Sequence, residues 1–190
     1  MRRGAALLLA SLALAGCGGA PSKDGAALQK QEQARASELA KVNGWSRAFQ
    51  PDVAIAAANQ FGFHAPAYGP AKQDFASIGT PVIVSDSAAR KPNSAGFAAT
   101  GNAVDRVDLM KFDLGLTDAN SAELAHTRFA DIVRDFLFQS KIDAKPIHDK
   151  IAKGEAAKGQ LDGIDFAIEK AADRLTVTFH RTGASAPANS

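Results

Sequence analysis

Alternating apolar and polar residues between Ala103 and His180 constrain the fold more than any other feature of this sequence. One series contains Met110, Phe112, Leu114 and Leu116, separated by charged residues or glycine, which is typical of a strand with one buried face. The same period of two recurs in segments 164–168 and 175–179. Because only the short segment 170–173 separates these two strands, we expect them to form a hairpin.

Between these groups of strands the sequence predicts a long amphipathic helix. Apolar residues recur at helical spacing from Ala125 to Leu137, and charged residues occupy most of the other positions. We expect this helix to extend to about Ser140. A shorter helix is expected to begin near Pro146 and to end near Gly154, since proline favours the first turn and glycine the end of a helix.

The predicted fold class is α+β. It consists of an antiparallel sheet with the long amphipathic helix and the shorter helix packed on one face, preceded by peripheral N-terminal helices. The first of those helices, within 26–42, contains few large apolar residues. Two further strands are expected at Pro81–Ser85 and Phe97–Thr100. Segments 64–70 and 153–159 are rich in residues that break regular structure or are polar, and we expect them to be loops.

The N-terminus has a second distinctive pattern. After Met1, Arg2 and Arg3, an apolar run extends from Ala5 to Ala13 and is followed by Leu14, Ala15, Gly16 and Cys17. A membrane-spanning helix needs about 20 apolar residues, and polar residues follow this run too soon. A charged start, a short apolar core and small residues are typical of an export signal.

This segment resembles the signal and lipobox of bacterial lipoproteins. In that family a diacylglyceryl group is attached to the lipobox cysteine, and the signal is cleaved immediately before it. The resemblance implies lipidation of Cys17, with Leu14, Ala15 and Gly16 as the signal motif. Gly18 occupies the position where an aspartate tends to retain such proteins in the inner membrane. We therefore expect an anchor in the outer membrane, facing the periplasm.

The expected domain organisation follows from this cleavage. It comprises a signal peptide (1–16), a lipidated cysteine with a flexible tether (17–25), a single α+β domain (26–181) and a disordered tail (182–190). The tether is rich in glycine and small polar residues. Cys17 is the only cysteine, so the sequence predicts no disulfide to stabilise the domain.

The charge of the mature chain argues against a nucleic-acid partner. The net charge of +2 includes Arg2 and Arg3, which leave with the signal, so acidic and basic side chains then balance. A chain without excess positive charge lacks the electrostatic footprint of nucleic-acid binding. The expected partners are the membrane, through lipid on Cys17, and another envelope protein.

No catalytic, metal or cofactor site is predicted. The sequence has no Gly-x-Ser-x-Gly elbow, and Ser85 and Ser87, which follow the β-branched run Val82–Val84, are better explained as turn residues. The four histidines, His64, His126, His148 and His180, are not at metal-ligand spacing. We expect each of them to be solvated or locally hydrogen-bonded, with His126 on the polar side of its helix.

The candidate interface residues are Phe138 and Arg134, because Phe138 falls off the apolar stripe of the long helix. The preferred hypothesis is a non-catalytic, membrane-anchored binding or envelope-assembly protein. The first alternative is a module for a small or lipidic ligand held between sheet and helix, in a pocket lined by Phe112, Phe129, Phe136 and Phe166. A hydrolase built from scattered Ser, His and Asp residues is the second alternative.

Overall fold

The computed structural model of the protein describes residues 27, 28, 30, 31, 44–72, 74–86 and 88–181. The chain divides into two compact units, Met1–Leu39 and Ala40–Ser190. In the first unit the described residues are helical and Leu28 is exposed. The expected signal peptide, tether and tail lie outside the described residues.

The second unit is built on one antiparallel sheet of eight strands. In spatial order, β1, β2, β4, β5, β8, β7 and β6 lie side by side, and β3 pairs with β4. The strands are β1 Gly69–Ala71, β2 Asp74–Ile78, β3 Val82–Ile83, β4 Ser94–Gly101, β5 Leu109–Gly115, β6 Ala157–Leu161, β7 Ile164–Lys170 and β8 Arg174–His180. Strands β7 and β8 form the expected hairpin. Because β8 pairs with β5, this hairpin lies beside the middle of the sheet.

Four α-helices accompany the sheet in the second unit's described residues. They are α1 Trp45–Ala48, α2 Pro51–Gln60, α3 Ala122–Phe138 and α4 Lys145–Ala152, and a short 3₁₀ helix, Ala119–Ser121, precedes α3. Proline lies in the first turn of both α2 and α4, where its missing N–H costs nothing. The α+β class, with helices packed on an antiparallel sheet, is confirmed.

The core lies between one face of the sheet and the helices. Its strand residues follow the predicted alternation and are almost completely buried: Ala95, Phe97, Ala99, Met110, Phe112, Leu114, Leu175, Val177 and Phe179. Phe136 of α3 contacts two of them, with ring centroids 5.7 Å from Phe97 and 5.0 Å from Phe112. Trp45 of α1 packs on the same face, and its ring centroid lies 5.1 Å from that of Phe179.

Several strands differ from the prediction. β1 and β6 begin within the segments 64–70 and 153–159 that we expected to be loops, whereas β3 is only two residues long and β4 is longer than predicted. Both β1 and β6 lie at the edges of the sheet. Edge strands have one partner and little buried surface, so polar residues and proline are common there. Their sequences therefore lack the alternation that identifies the central strands.

Candidate partner-binding surface

The end of α3 carries the most exposed large apolar side chain among the described residues. Phe138 is 74% exposed, whereas Phe136 and Leu137 are almost completely buried. Consecutive residues of a helix are rotated by about 100°, so Phe138 is turned well away from the face that Phe136 presents to the core. Its exposure agrees with its position off the apolar stripe.

A Schellman-type cap ends α3, and its backbone hydrogen bonds hold residues 141 and 142 next to the last turn of the helix. The Lys141 N–H donates to the Phe138 carbonyl at 2.8 Å, and the Ile142 N–H donates to the Leu137 carbonyl at 3.1 Å. Lys141 has a φ of +61°, in the left-handed region that glycine usually occupies at this position. For a residue with a Cβ this conformation costs about 1–2 kcal/mol. The cap therefore contains a strained lysine.

An open groove of about 320 Å³ lies beside this cap. We call it the Phe138 groove, and its lining residues are Arg134, Phe138, Lys141, Ile142, Asp143 and Ala144. The two residues predicted as an interface, Phe138 and Arg134, thus line one cavity. Phe138, Ile142 and Ala144 give it an apolar character, and the side chains of Arg134 and Lys141 carry positive charge.

The two cations of the groove differ in their partners. The Arg134 guanidinium lies 2.7 Å from Asp131 Oδ1 and 2.8 Å from Asp135 Oδ1. The hydrogen bond to Asp135 is the main reason that the pKa of Arg134 is raised above its ordinary value. Within the described residues Lys141 has no ion pair. Lys141 is therefore the cation of the groove whose charge is free to meet a carboxylate of another molecule.

His148 joins the acidic residues of this network without forming a catalytic triad. Its Nε2 lies 3.1 Å from Asp131 Oδ1, and its Nδ1 lies 3.2 Å from Asp149 Oδ1. The contact with Asp131 links α4 to α3 and holds the acidic partner of Arg134 in place. No serine contact accompanies these hydrogen bonds in the part of the chain that is described.

Ser85, the described one of the two candidate nucleophiles, is buried and its Oγ accepts a hydrogen bond from the Asn93 N–H at 2.8 Å. Asn93 is itself fully buried. Its Oδ1 accepts from the backbone N–H groups of Thr117 and Asp118 at 2.8 Å and 2.7 Å. These bonds join the loop before β4 to the segment before α3, so Ser85 has a structural role. Ser87 lies outside the described residues.

His126, expected to be solvated or locally hydrogen-bonded on the polar side of its helix, is partly buried and has a backbone hydrogen bond at Ile151. Its Nδ1 is buried, and no described residue hydrogen-bonds to that atom. Burial is the main reason that the pKa of His126 is lowered from 6.5; a backbone hydrogen bond at Ile151 opposes this effect and Lys170 adds to it. The ring lies against Gly154 at the end of α4, where a Cβ would come within 2.7 Å of His126 Cε1.

The rings proposed as the lining of an interior ligand pocket pack against one another or against the core. Phe112, Phe129 and Phe136 are at most 1% exposed, and Phe112 and Phe136 meet edge to face. Phe166 is partly buried at the margin of the core. Among the described residues there is also no cluster of three or more His, Cys, Asp or Glu side chains that could hold a metal.

Comparisons with known proteins give no match to this chain among family models, curated proteins or solved structures. No helix in the described segments has the length and apolar character required to cross a membrane. The residues of the lipobox resemblance, Leu14, Ala15, Gly16 and Cys17, lie outside those segments.

Proposed function

We propose that the protein is a lipid-anchored, non-catalytic binding component of the bacterial envelope that engages another envelope protein through the Phe138 groove. The exposure of Phe138 beside the strained Lys141, which has no ion pair among the described residues, carries this proposal. An exposed aromatic ring next to apolar walls is a typical arrangement at protein interfaces. Strain retained in a residue with a charged side chain supports a role for that side chain.

The anchor rests on the lipobox resemblance at Cys17. Two or more acyl chains, each contributing about 0.8 kcal/mol per buried methylene, hold a protein durably on a membrane. Such an anchor, in the outer membrane facing the periplasm, raises the local concentration of the domain near other membrane proteins. A groove of modest size can then sustain an interaction that would be weak in dilute solution.

The chemistry of the groove defines the segment it would bind. An apolar side chain of the partner would contact Phe138 and fill the space beside Ile142 and Ala144. A neighbouring carboxylate of the partner would pair with Lys141. Because Arg134 already pairs with Asp131 and Asp135, it would form one wall of the groove and is not expected to supply the deciding charge.

Site-specific photocrosslinking in intact cells tests this proposal. A photoreactive phenylalanine analogue at position 138 should capture a membrane or periplasmic protein through a segment that contains an apolar residue next to Asp or Glu. The same analogue at Leu124, an exposed residue near the other end of α3, is the matched control. Mass spectrometry identifies the captured segment.

Two variants complete the experiment. Lys141→Glu should reduce the capture at position 138 by about ten-fold, since it replaces attraction by repulsion. Cys17→Ser, which removes the site of lipid attachment, should reduce capture while the domain remains folded. Equal capture at positions 124 and 138, or a captured segment without an acidic residue, would contradict the proposal.

A further inference from the structure

A second cavity, of about 350 Å³, lies beside α1 and shares no lining residue with the Phe138 groove. Its volume is in the range of small-ligand sites. Trp45, Phe49 and Ile164 provide its apolar surface, and Arg106 and Arg181 are two of its charged residues. These residues are far apart in the sequence of the second unit, so folding brings them together.

The apolar floor of this cavity is held in position by the core. Trp45 is 7% exposed and Phe49 is 4% exposed, with ring centroids 5.6 Å apart. The Trp45 indole N–H donates to the Leu161 carbonyl at 2.8 Å, and its ring also contacts Phe179. A small apolar side chain of a ligand would therefore contact the exposed edges of two rings that the core holds in place.

Both arginines of the cavity meet a single carboxylate. Asp108 Oδ1 lies 3.4 Å from Arg106 Nε and 3.9 Å from Arg181 Nη1. Arg106 also donates from Nη2 to Asn102 Oδ1 at 3.0 Å, and its backbone carbonyl accepts from the Tyr68 hydroxyl at 3.0 Å. These contacts orient the guanidinium groups but leave N–H donors that are free to bind a ligand carboxylate.

The same cavity contains an acceptor without a donor. Gln50, just before α2, has its side-chain Oε1 buried, and no described residue hydrogen-bonds to that atom. A buried carbonyl oxygen without a donor is unfavourable. Asp105 also lines the cavity and has no ion pair within the described segments. The site therefore combines unused acceptors, two cations and an aromatic floor.

We propose that this cavity binds an apolar α-amino acid, either free or as the last residue of a peptide. Its carboxylate pairs with Arg106 and Arg181, and its side chain lies against the exposed parts of Trp45 and Phe49. Its N–H donates to Gln50 Oε1 after the Gln50 side chain turns toward the cavity. A free amino acid would also place its ammonium group near Asp105. The proposal does not depend on the Phe138 groove, so either one can fail without the other.

Tryptophan fluorescence measures this binding directly, because Trp45 is the only tryptophan in the chain. The full-length protein should respond saturably to L-leucine, N-acetyl-L-leucine or both, and not to L-leucinamide, which lacks the carboxylate. A stronger response to leucine than to its acetylated form indicates the free amino acid, and the reverse indicates a peptide terminus. A response to leucinamide as strong as to leucine, or no response to any of the three, would overturn the proposal.

Two substitutions in the cavity and one control substitution separate binding from folding. Arg181→Gln should weaken the binding by about ten-fold or more, as expected for a lost charged hydrogen bond, whereas Arg174→Gln, at the other end of β8, should leave it unchanged. Gln50→Leu should weaken binding to a similar extent and yet raise the melting temperature, because it removes the unsatisfied oxygen. Unchanged affinity in both Arg181→Gln and Gln50→Leu would sink the assignment.

Discussion

Helices α3 and α4 end in the same backbone geometry but in opposite surroundings. Lys141 follows α3 with a φ of +61°, and Gly154 follows α4 with a φ of +62°. The same two cap hydrogen bonds form at each end. At α4 the Gly154 N–H donates to the Ile151 carbonyl at 3.0 Å, and the Glu155 N–H donates to the Lys150 carbonyl at 2.8 Å.

The difference lies in what each left-handed residue contacts. Gly154 is buried against His126. Glycine suits this position because it adopts the left-handed conformation readily and because a side chain would have no space there. Lys141 is exposed beside Phe138 and has only the conformational cost. One cap is thus optimised for packing. The other retains strain and presents a charged side chain to the surroundings, which is why we place the partner-binding surface there.

The largest expected effect separates the buried and exposed aromatic residues near the end of α3. Phe136→Ala should reduce the free energy of unfolding by about 3–5 kcal/mol, because it leaves a cavity in the core. Phe138→Ala should change it by less than about 0.5 kcal/mol, as is usual for surface positions. Urea unfolding of both variants provides the measurement. Similar losses in the two would show that Phe138 supports the fold.

The next effect concerns the two caps directly. Gly154→Ala should destabilise the protein by roughly 2 kcal/mol or more, since it adds a Cβ in the left-handed region and forces it against His126. Lys141→Ala is the matched control and should have little effect, because the residue it replaces already has a Cβ. Urea unfolding compares them. Equal destabilisation by the two variants would contradict the contrast between the caps.

Because His126 is packed against the cap at Gly154, we expect the stability of the protein to depend on pH. The pKa of His126 is lowered from 6.5 in the folded state, chiefly by burial. The full stability is therefore present above about pH 6.5 and falls as the pH drops towards the lowered pKa, because the unfolded chain takes up the proton first. Urea unfolding between pH 8 and pH 5 should show a steeper loss in the wild type than in His126→Leu. Parallel pH profiles would indicate that His126 does not titrate differently on folding.

The central part of the fold could be predicted because it buries one face of each element. Alternation identified β5, β7 and β8, and helical spacing identified α3. The edge strands β1 and β6 bury too little to leave such a pattern. The buried amide of Asn93 was missed as well, because an asparagine in a loop has the same local sequence whether it is exposed or buried.

The candidate surface could be predicted only in part. Phe138 was identified from its phase on the helix, and Arg134 from its position beside Phe136 and Phe138. Lys141 was missed because no glycine or asparagine indicates a left-handed cap at that position. The cavity beside α1 is lined by residues as distant in sequence as Trp45 and Arg181. Only the complete fold brings them together, so no local sequence pattern predicts their proximity.

The smallest expected effect tests the strained cap itself. Lys141→Gly should raise the free energy of unfolding by up to about 1 kcal/mol, because glycine adopts the left-handed conformation without the Cβ contact but loses more entropy on folding. The same variant should reduce the photocrosslinking at position 138, since it removes the Lys141 ammonium. Urea unfolding and the crosslinking yield measure the two effects separately.

Lys141→Arg and Lys141→Asn separate strain from charge at this position. Arginine keeps both the charge and the left-handed Cβ, so it should preserve stability and capture. Asparagine tolerates the left-handed region better but has no charge, so it should behave like glycine in the crosslinking measurement. If Lys141→Asn captures the partner as well as the wild type does, the cation contributes nothing to binding. The strain at Lys141 would then be unrelated to the partner-binding surface.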